Sequence, residues 1–465
     1  MSAYYADEKQ DKVDVEVVTT DGAVHDAVWG DIDGKGPNYR GLGWARTAVV
    51  LVKIQIGLGV LSMASFLDVL GLIPGVLVII VVGILTTYTD YIVGTFKLAH
   101  PEVYTLADVG QLIWGPIGRE ILFVGYWLYL VFVAGAGLLA ISTALNAVSD
   151  HAICTALFTL VGAATVMLIA SIQTLDRISW ITWVGVMGIM TSVITLTIAV
   201  SQRDRPYAAP QTGPWDKQLK LWGDAPFVDC CAAVAAIIFS YAGAPAFFSV
   251  VAEMKNPRQF TRSLLVCQAV VISTFTIVAA VVYHYCGVYL SSPTLGSAGG
   301  VIKKVCYGFA LPGLIAGAVL NTHIPAKLLM VRFLRNSEHL ANNTKVHYIV
   351  WFSCIAFNAS ISFIIAEAIP VFNNLLSVVG AFLATPLSMT VECLMYMWEV
   401  RRKDEQPTMR GRLMYGWNFF IFVLSLFAIG TGMWASAMAI KGDIDKGNLL
   451  KPFGCADNSG FHPAS

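Results

Sequence analysis

Long apolar blocks are the feature that most constrains how this chain can fold. The sequence contains repeated blocks of mainly apolar residues, each of about 20 residues or more, long enough to cross a hydrocarbon core of about 30 Å as helices. Composition agrees, because 56% of the 465 residues are apolar and only 13% are charged. The blocks exclude a soluble monomer, and the lack of alternating strand patterns excludes an outer-membrane barrel. We therefore predict an all-α integral membrane protein embedded in a lipid bilayer.

The apolar blocks and their flanking charges predict eleven transmembrane helices. The predicted spans lie near 46–70, 73–97, 119–148, 152–172, 177–201, 228–255, 263–287, 304–333, 346–369, 370–398 and 412–440. The segment 101–120 is too polar and too broken to span, and it predicts a short helix at the membrane interface. Residues 1–45 are typical of a disordered tail, and residues 441–465 form a second tail.

The distribution of positive charge predicts the orientation. Lys and Arg are about twice as frequent in the loops on the side of the N-terminus as on the other side. This places the N-terminus in the cytoplasm, and an odd number of spans places the C-terminus outside the cell. Lys plus Arg and Asp plus Glu both number 30. The chain as a whole therefore has no basic excess for nucleic acid, and none is predicted as a partner.

The cysteines give little sign of a metal site. The sequence has nine cysteines, but neither a CxxC pair nor a His/Cys cluster with the spacing of metal ligands. Cys286 and Cys306 flank one loop and could pair if that loop faces an oxidising compartment. We predict no metal and no cofactor.

Two predicted spans are interrupted near the middle of the membrane. In the first span, Gly57 and Gly59 flank Leu58 and weaken the helix. In the sixth, Tyr241-Ala242-Gly243 precedes a proline that cannot donate a helical hydrogen bond. Unwound backbone is tolerated at this depth only where it is buried in protein or lines a watery cavity. Either motif alone is also typical of close helix packing or a simple kink.

The positions of the two breaks match. The first and sixth spans each begin a run of five, and because five is odd, the second run must insert with inverted topology. Broken helices at equivalent positions of inverted halves indicate a transporter binding site. Free N–H groups at half-helix N-termini suit a carboxylate, and exposed carbonyl groups suit a cation. We therefore predict a zwitterionic substrate. The backbone and side chains predicted to bind it belong to Gly57, Leu58, Gly59, Tyr241, Ala242 and Gly243.

The two breaks and the segment Glu253-Met-Lys-Asn-Pro-Arg-Gln-Phe260 carry a family resemblance. Over roughly 40–440 the chain resembles the amino acid/auxin permease family of the amino acid-polyamine-cation superfamily, and in particular it is similar to the fungal neutral amino-acid permeases. The resemblance implies a five-plus-five inverted-repeat transporter fold, with repeats at 46–201 and 228–398 and an extra helix at 412–440. It also implies secondary active import of aliphatic and aromatic amino acids at the plasma membrane.

The resemblance also suggests how transport is coupled. Lys53 stands four positions before Gly57, where sodium-coupled relatives tend to carry a neutral polar residue and several proton-coupled relatives carry Lys. Its ammonium could occupy the place of a cation and titrate, or the side chain could simply reach toward the headgroups. Asn321 and Thr322 lie in the eighth span, where this fold brings polar groups against the first break. Together with the adjacent His323 they could replace or complete a cation site, or His323 could be a core histidine bonded to a neighbouring carbonyl group.

For four other side chains within the predicted spans, the sequence allows two different roles. Tyr129 and Phe132 belong to an aromatic stripe of the third span, which could be helix packing; the resemblance places this span beside the substrate. Asp90 and Glu392 could relay protons, or they could be protonated carboxyl groups bonded to a neighbouring helix.

These patterns predict a transporter that imports neutral L-amino acids by alternating access, with protons as the coupling ion. The alternatives are a sodium-coupled transporter and an amino-acid-sensing receptor on the same fold. An enzyme is not expected, because the sequence shows no nucleophile-base pair or HExxH motif. The sequence is silent on the oligomeric state.

Overall fold

The computed structural model describes residues 24–26, 30–32, 42–172, 175–334, 344–402, 408–445 and 452–459. Two short strands, β1 (Val24–Asp26) and β2 (Gly30–Ile32), pair antiparallel within the segment predicted to be disordered. The rest of the chain before residue 42 lies outside the described residues. The extent of the tail therefore remains a prediction.

The first half of the molecule begins with a broken helix. Its helices are α1 (Trp44–Gln55), α2 (Met63–Leu70), α3 (Leu72–Ala99), α4 (Leu106–Ser149), α5 (Thr155–Ala170) and α6 (Leu175–Ser201). Helices α1 and α2 together form the first predicted span. The stretch between them is unwound apart from a single 3-10 turn, Gly59–Leu61.

The polar segment before the third span is the start of α4. The Thr105 backbone N–H donates to Asp108 Oδ2 at 2.8 Å and completes a capping box that begins the helix. Gly115 then leaves the helical conformation with a φ of 70°, which glycine adopts without steric cost. A short helix therefore precedes the third span as predicted, but it joins the span through this kink.

The second half repeats the pattern of the first. Its helices are α7 (Phe227–Tyr241), α8 (Ala244–Ala252), α9 (Phe260–Cys286), α10 (Gly300–Phe333), α11 (Lys345–Ala368), α12 (Phe372–Val379), α13 (Val391–Arg402) and α14 (Met409–Asp445). Helices α7 and α8 form the broken sixth span. The tenth span joins α12 to α13 through two π-helical stretches, Gly380–Ala384 and Pro386–Thr390.

The fold confirms the predicted architecture. Nine segments of the described chain are long and apolar enough to cross a membrane. The other two predicted spans are the split first helix and the shorter apolar α5. The chain therefore adopts the five-plus-five inverted-repeat transporter fold with broken first and sixth helices and an eleventh helix, α14. The exact bounds of the two repeats remain predictions.

Helix packing brings the two breaks to the centre of the bundle. Helix α10 packs against α4 and α6, α9 packs against α1 and α3, and α14 packs against α7. Small residues permit the closest approaches. A Cβ built on Gly185 of α6 would lie 2.9 Å from the Cα of Gly313 on α10. Such contacts between small residues are the usual means by which membrane helices approach closely.

A disulfide joins Cys154 to Cys455, and this corrects the expectation that Cys286 and Cys306 might be the pair. Both of those side chains are fully buried and free, because each packs into the hydrophobic core between the helices. Segment 452–459 lies across the ends of α4, α5 and α10. Its contacts include Thr155 Oγ1 to the Ala456 carbonyl at 2.6 Å, Asn146 Nδ2 to Asn458 Oδ1 at 2.8 Å and Lys303 Nζ to the Ser459 carbonyl at 3.0 Å.

The opposite face of the bundle is closed by backbone pairing between the first and sixth spans. Leu42 forms a parallel bridge with Met254. The Leu42 N–H donates to the Glu253 carbonyl at 3.1 Å, and the Lys255 N–H donates to the Leu42 carbonyl at 2.9 Å. We call this side of the molecule the Leu42 face and the side that carries the disulfide the Cys154 face.

Candidate functional site: the two helix breaks

The first break leaves backbone donors without acceptors. Helix α1 ends where the Ile56 N–H donates to the Val52 carbonyl at 2.7 Å, and the next backbone hydrogen bond runs from the Leu61 N–H to the Leu58 carbonyl at 3.2 Å. Between them, the N–H groups of residues 57–59 donate to no described residue. Such groups are costly at mid-membrane unless something accepts from them. The break therefore presents a row of donors to a ligand.

The second break presents carbonyl groups, and two neighbouring spans bind them. Helix α7 ends at Tyr241, and α8 begins after Gly243 with Pro245 in its first turn. Gln55 Nε2 donates to the Tyr241 carbonyl at 3.0 Å. The Tyr129 hydroxyl donates to the Ala242 carbonyl at 2.9 Å. The unwound backbone of the sixth span is thus held by α1 and α4.

The three glycines of the breaks have different surroundings. A Cβ on Gly59 would lie 2.4 Å from the Ser240 Cβ, so the two breaks touch at this point. A Cβ on Gly243 would lie 2.5 Å from the Phe247 ring. A Cβ on Gly57 would meet nothing within 4 Å. Gly59 and Gly243 therefore serve close packing, whereas Gly57 borders open space.

Two half-helices begin at the breaks and carry their positive dipole ends there. Helix α2 starts at Met63 after the first break, and α8 starts at Ala244 after the second. Because the two spans run in opposite directions through the membrane, these N-termini approach the centre from opposite sides. The arrangement favours an anionic group between them.

The side chains predicted to line the substrate site differ in where they point. Tyr129 is 8% exposed and contacts the break through its hydroxyl, while Phe132 and Leu58 are half-buried. The side chain of Tyr241 instead points into the core, where its ring meets Phe275 edge to face at 5.1 Å. At Tyr241 the backbone carbonyl, rather than the side chain, belongs to the break.

The predicted coupling residues do not form one cluster. Lys53 is half-buried on α1 and makes no hydrogen bond or ion pair with any described residue. Asn321 Nδ2 donates to the Gly317 carbonyl of its own helix at 2.8 Å, and the buried Thr322 has no hydrogen bond to either break. His323 lies 3.0 Å from the Ala170 carbonyl. This matches the reading of His323 as a core histidine.

Sequence reasoning did not single out two residues of this site. Gln55 bonds the sixth-span break, and Ser240 packs on Gly59. A signal for Gln55 was present, because it is an uncharged polar side chain two positions before Gly57 in an otherwise apolar stretch. Ser240 had no comparable signal, since serine is common in membrane helices.

The Leu42 face carries an ionisable group beside the sixth span. Glu253 follows the end of α8 and is half-buried. Burial raises the pKa of its carboxyl group, and the positive charge of Lys327 acts in the opposite direction. Burial also raises the pKa of the nearby Tyr104 to about 12, reinforced by the charge of Glu253. These groups lie where the chain closes the bundle.

A cavity of about 650 Å³ opens on the Cys154 face, away from the breaks. Its wall includes Asp150, Tyr207, Lys303 and Lys304. Lys304 Nζ forms an ion pair with Asp150 Oδ2 at 2.5 Å. The cavity therefore lies among the loops, and none of the predicted site residues lines it.

The fold and the paired helix breaks are those of a membrane transporter. A family model described as transmembrane amino acid transporter protein matches residues 40–438. The chain belongs to this family of amino acid transporters, as the sequence resemblance predicted. It is accordingly a multi-pass membrane protein and a transporter rather than an enzyme.

Two fungal relatives agree with this assignment, and a solved structure shares the fold. A transmembrane transporter of Fusarium pseudograminearum is 37% identical over 426 residues, which cover 92% of this chain and 89% of that protein. The N amino acid transport system protein of Neurospora crassa is 29% identical over 424 residues, 90% of this chain and 89% of that protein. A closed conformation of Mhp1, a nucleobase-cation-symport-1 family transporter, matches with a TM-score of 0.55 at 14% identity and covers 90% of this chain and 96% of that chain. At that identity the likeness concerns the fold alone.

Proposed function

We propose that the protein imports neutral aliphatic and aromatic L-amino acids across the plasma membrane in symport with protons, by alternating access. The observation that carries the proposal is the pairing of the two breaks. The N–H groups of residues 57–59 have no acceptor among the described residues, and the carbonyl groups of Tyr241 and Ala242 lie in the other break.

This geometry suits the two ends of an amino acid. The substrate carboxylate accepts from the N–H groups near Gly57, where the α2 N-terminus adds its dipole. The ammonium group donates to the carbonyl oxygens of Tyr241 and Ala242. Each oxygen has two acceptor positions, and Gln55 or Tyr129 fills only one of them.

The surroundings favour a neutral substrate side chain. Residues 56–62, which include Leu58, and residues 242–243 carry no charged side chain. The residues of the third span predicted to line the site, Tyr129 and Phe132, are also uncharged. A charged substrate side chain would lose its hydration there without gaining an opposite charge from these residues, which costs several kcal/mol. Aliphatic and aromatic side chains lose nothing comparable.

Lys53 supports coupling without sodium. Its ammonium group lies on α1 one turn before the first break, and no described residue neutralises it by an ion pair. A fixed positive charge at this point supplies what a bound sodium ion would otherwise supply to the exposed carbonyl groups. Asn321, which could have helped to bind a cation, is bonded to its own helix instead.

The disulfide supports the orientation. Cys154 and Cys455 share one face, and disulfides persist mainly in oxidising compartments. The excess of Lys and Arg belongs to the other face, which agrees with a cytoplasmic Leu42 face. We therefore assign the Cys154 face to the outside of the cell.

Uptake measurements in proteoliposomes test the proposal. We expect labelled leucine and phenylalanine to accumulate when the exterior is acidic, with or without sodium, and a protonophore to abolish the accumulation. Competition by the proteinogenic amino acids should be strong for aliphatic and aromatic members and weak for charged ones. Accumulation that requires sodium would refute proton coupling. Binding without any flux would favour a receptor.

A further inference from the structure

Three buried polar side chains lie on neighbouring spans outside the two breaks. Asp90 on α3, Gln268 on α9 and Glu392 on α13 are 1%, 2% and 0% exposed. Gln268 Nε2 donates to Asp90 Oδ2 at 2.9 Å. Helix α3 packs against both α9 and α13. The cluster therefore joins three different spans.

The cluster has too few hydrogen-bond donors. Neither carboxyl oxygen of Glu392 accepts a hydrogen bond from another described residue, and neither does Gln268 Oε1. An ionised carboxylate only accepts, whereas a protonated one also donates through its O–H. A proton bound to Asp90 or Glu392 therefore supplies a donor of the kind that the cluster lacks.

The charges around the cluster also favour a bound proton. Asp90 and Glu392 interact electrostatically, and two carboxylates that share a buried site strongly disfavour double ionisation. The titratable groups that interact with this pair, directly or through one another, are Cys267 on α9, Cys393 on α13, and Tyr88, Tyr91 and Tyr396 beyond them. None of these is basic, and no Lys, Arg or His of the described chain interacts with either carboxyl group. These groups supply no positive charge to the pair, whereas a bound proton would neutralise one of its carboxylates.

Irregular backbone adjoins the pair. The π-helical stretch Pro386–Thr390 ends two residues before Glu392. Thr89, next to Asp90, donates through Oγ1 to the Ser388 carbonyl of that stretch at 2.9 Å. Such π-helical irregularities occur frequently at functional sites. Here one of them ties α3 to the span that carries Glu392.

Contacts lead from the cluster to the sixth-span break. Cys267, the neighbour of Gln268, interacts electrostatically with Asp90. Its Sγ lies 3.5 Å from Gln55 Oε1 and donates to it. The same Gln55 side chain donates through Nε2 to the Tyr241 carbonyl. Hydrogen bonds and adjacency in the chain thus lead from Asp90 through Gln268, Cys267 and Gln55 to the sixth-span break.

We propose that Asp90 and Glu392 form the buried site of the transported proton, that Gln268 positions Asp90, and that Cys267 and Gln55 connect the site to the helix break. The proposal rests on the proposed amino acid–proton symport. In the proposed transport cycle, one proton from the outer side binds a carboxylate of this pair and converts it to a carboxylic acid by forming an O–H bond. The same bond breaks on the inner side and releases the proton with the substrate.

The test uses the full chain in proteoliposomes that contain a pH-sensitive dye. Asp90→Asn and Glu392→Gln remove each titrating group and keep its size. Glu367→Gln is the matched control, because Glu367 is also a buried carboxyl in a span but bonds to Thr159 and the Phe453 backbone. We expect the control to retain both amino acid accumulation and substrate-driven proton entry. Both should be lost in the two test variants, while exchange of labelled for unlabelled leucine persists.

The outcomes separate this proposal from the proposed function. If leucine uptake by the unsubstituted protein moves no protons, the symport itself fails. If the unsubstituted protein moves protons and both test variants still do so, only the assignment to Asp90 and Glu392 is overturned. Asp90→Glu and Glu392→Asp retain a titrating carboxyl group and should shift the pH dependence of accumulation. An unshifted profile in both contradicts the proposal even if the neutral variants do not fold.

Discussion

The hydroxyl group of Tyr129 donates to the carbonyl oxygen of Ala242 at 2.9 Å and so ties the third span to the unwound middle of the sixth. The two residues lie 113 positions apart. The bond fixes the direction of a carbonyl group that the proposed substrate ammonium also uses. It therefore couples the shape of the substrate site to α4.

Replacing Tyr129 with Phe should weaken transport without unfolding the protein. The Ala242 carbonyl would lose a buried partner, at a cost of about 1–2 kcal/mol, or a ~5- to 30-fold loss of apparent affinity. The measurement is the concentration dependence of leucine uptake. Tyr126→Phe is the control, because that hydroxyl lies one turn away and makes no hydrogen bond in the described chain. Equal effects of both changes would contradict a specific role for Tyr129.

Gly57 and Gly59 should respond differently to alanine. Gly57→Ala adds a methyl group in open space, so we expect normal folding and weaker substrate binding. Gly59→Ala forces that group against Ser240, and overpacking of this kind typically costs about 1–3 kcal/mol. Thermal unfolding of the purified protein and uptake assays distinguish the two. A destabilised Gly57→Ala variant would argue against the open space beside Gly57.

Lys53 should act through its charge rather than through proton release. Lys53→Arg keeps a positive charge that does not titrate in a useful range, and we expect accumulation driven by a pH gradient to survive. Lys53→Met removes the charge and should abolish accumulation. Loss of accumulation in Lys53→Arg with exchange intact would instead identify Lys53 as the proton carrier.

The disulfide allows the proposed orientation to be tested on intact cells. Cys154→Ser leaves Cys455 as a free thiol in segment 452–459, and a membrane-impermeant maleimide should then label it from outside. The double variant Cys154→Ser/Cys455→Ser controls for the other cysteines, and it should show no such label. Labelling only after permeabilisation would reverse the orientation.

The membrane topology could be predicted from the sequence because its causes are local. A hydrocarbon core requires about 20 apolar residues per helix, and glycine or proline disturbs a helix at its own position. The breaks near Gly57 and Gly243 were therefore found where the structure has them. The apolar blocks likewise predicted all eleven spans.

The contacts between distant segments could not be predicted in this way. Gln55 and Tyr241 lie 186 positions apart, and no local sequence pattern predicts their hydrogen bond. The partners of Cys154 and Cys455 are 301 positions apart, whereas the sequence drew attention to two cysteines on either side of one loop. Proximity along the chain was a poor guide because burial in the core, not spacing, keeps Cys286 and Cys306 free.

The placement of segment 452–459 bears on how the molecule is made. The buried Asn146 side chain finds its partner in Asn458, which is synthesised 312 residues later. At the translation rate of about 5–20 residues per second, the end of α4 is without this contact for many seconds, and until then Asn146 has only its nearby partners Thr155 and His151. Truncation before residue 452 would leave that surface uncovered in a chain whose membrane helices are already inserted. The contacts of this face with segment 452–459 therefore form only after the eleven spans have been synthesised.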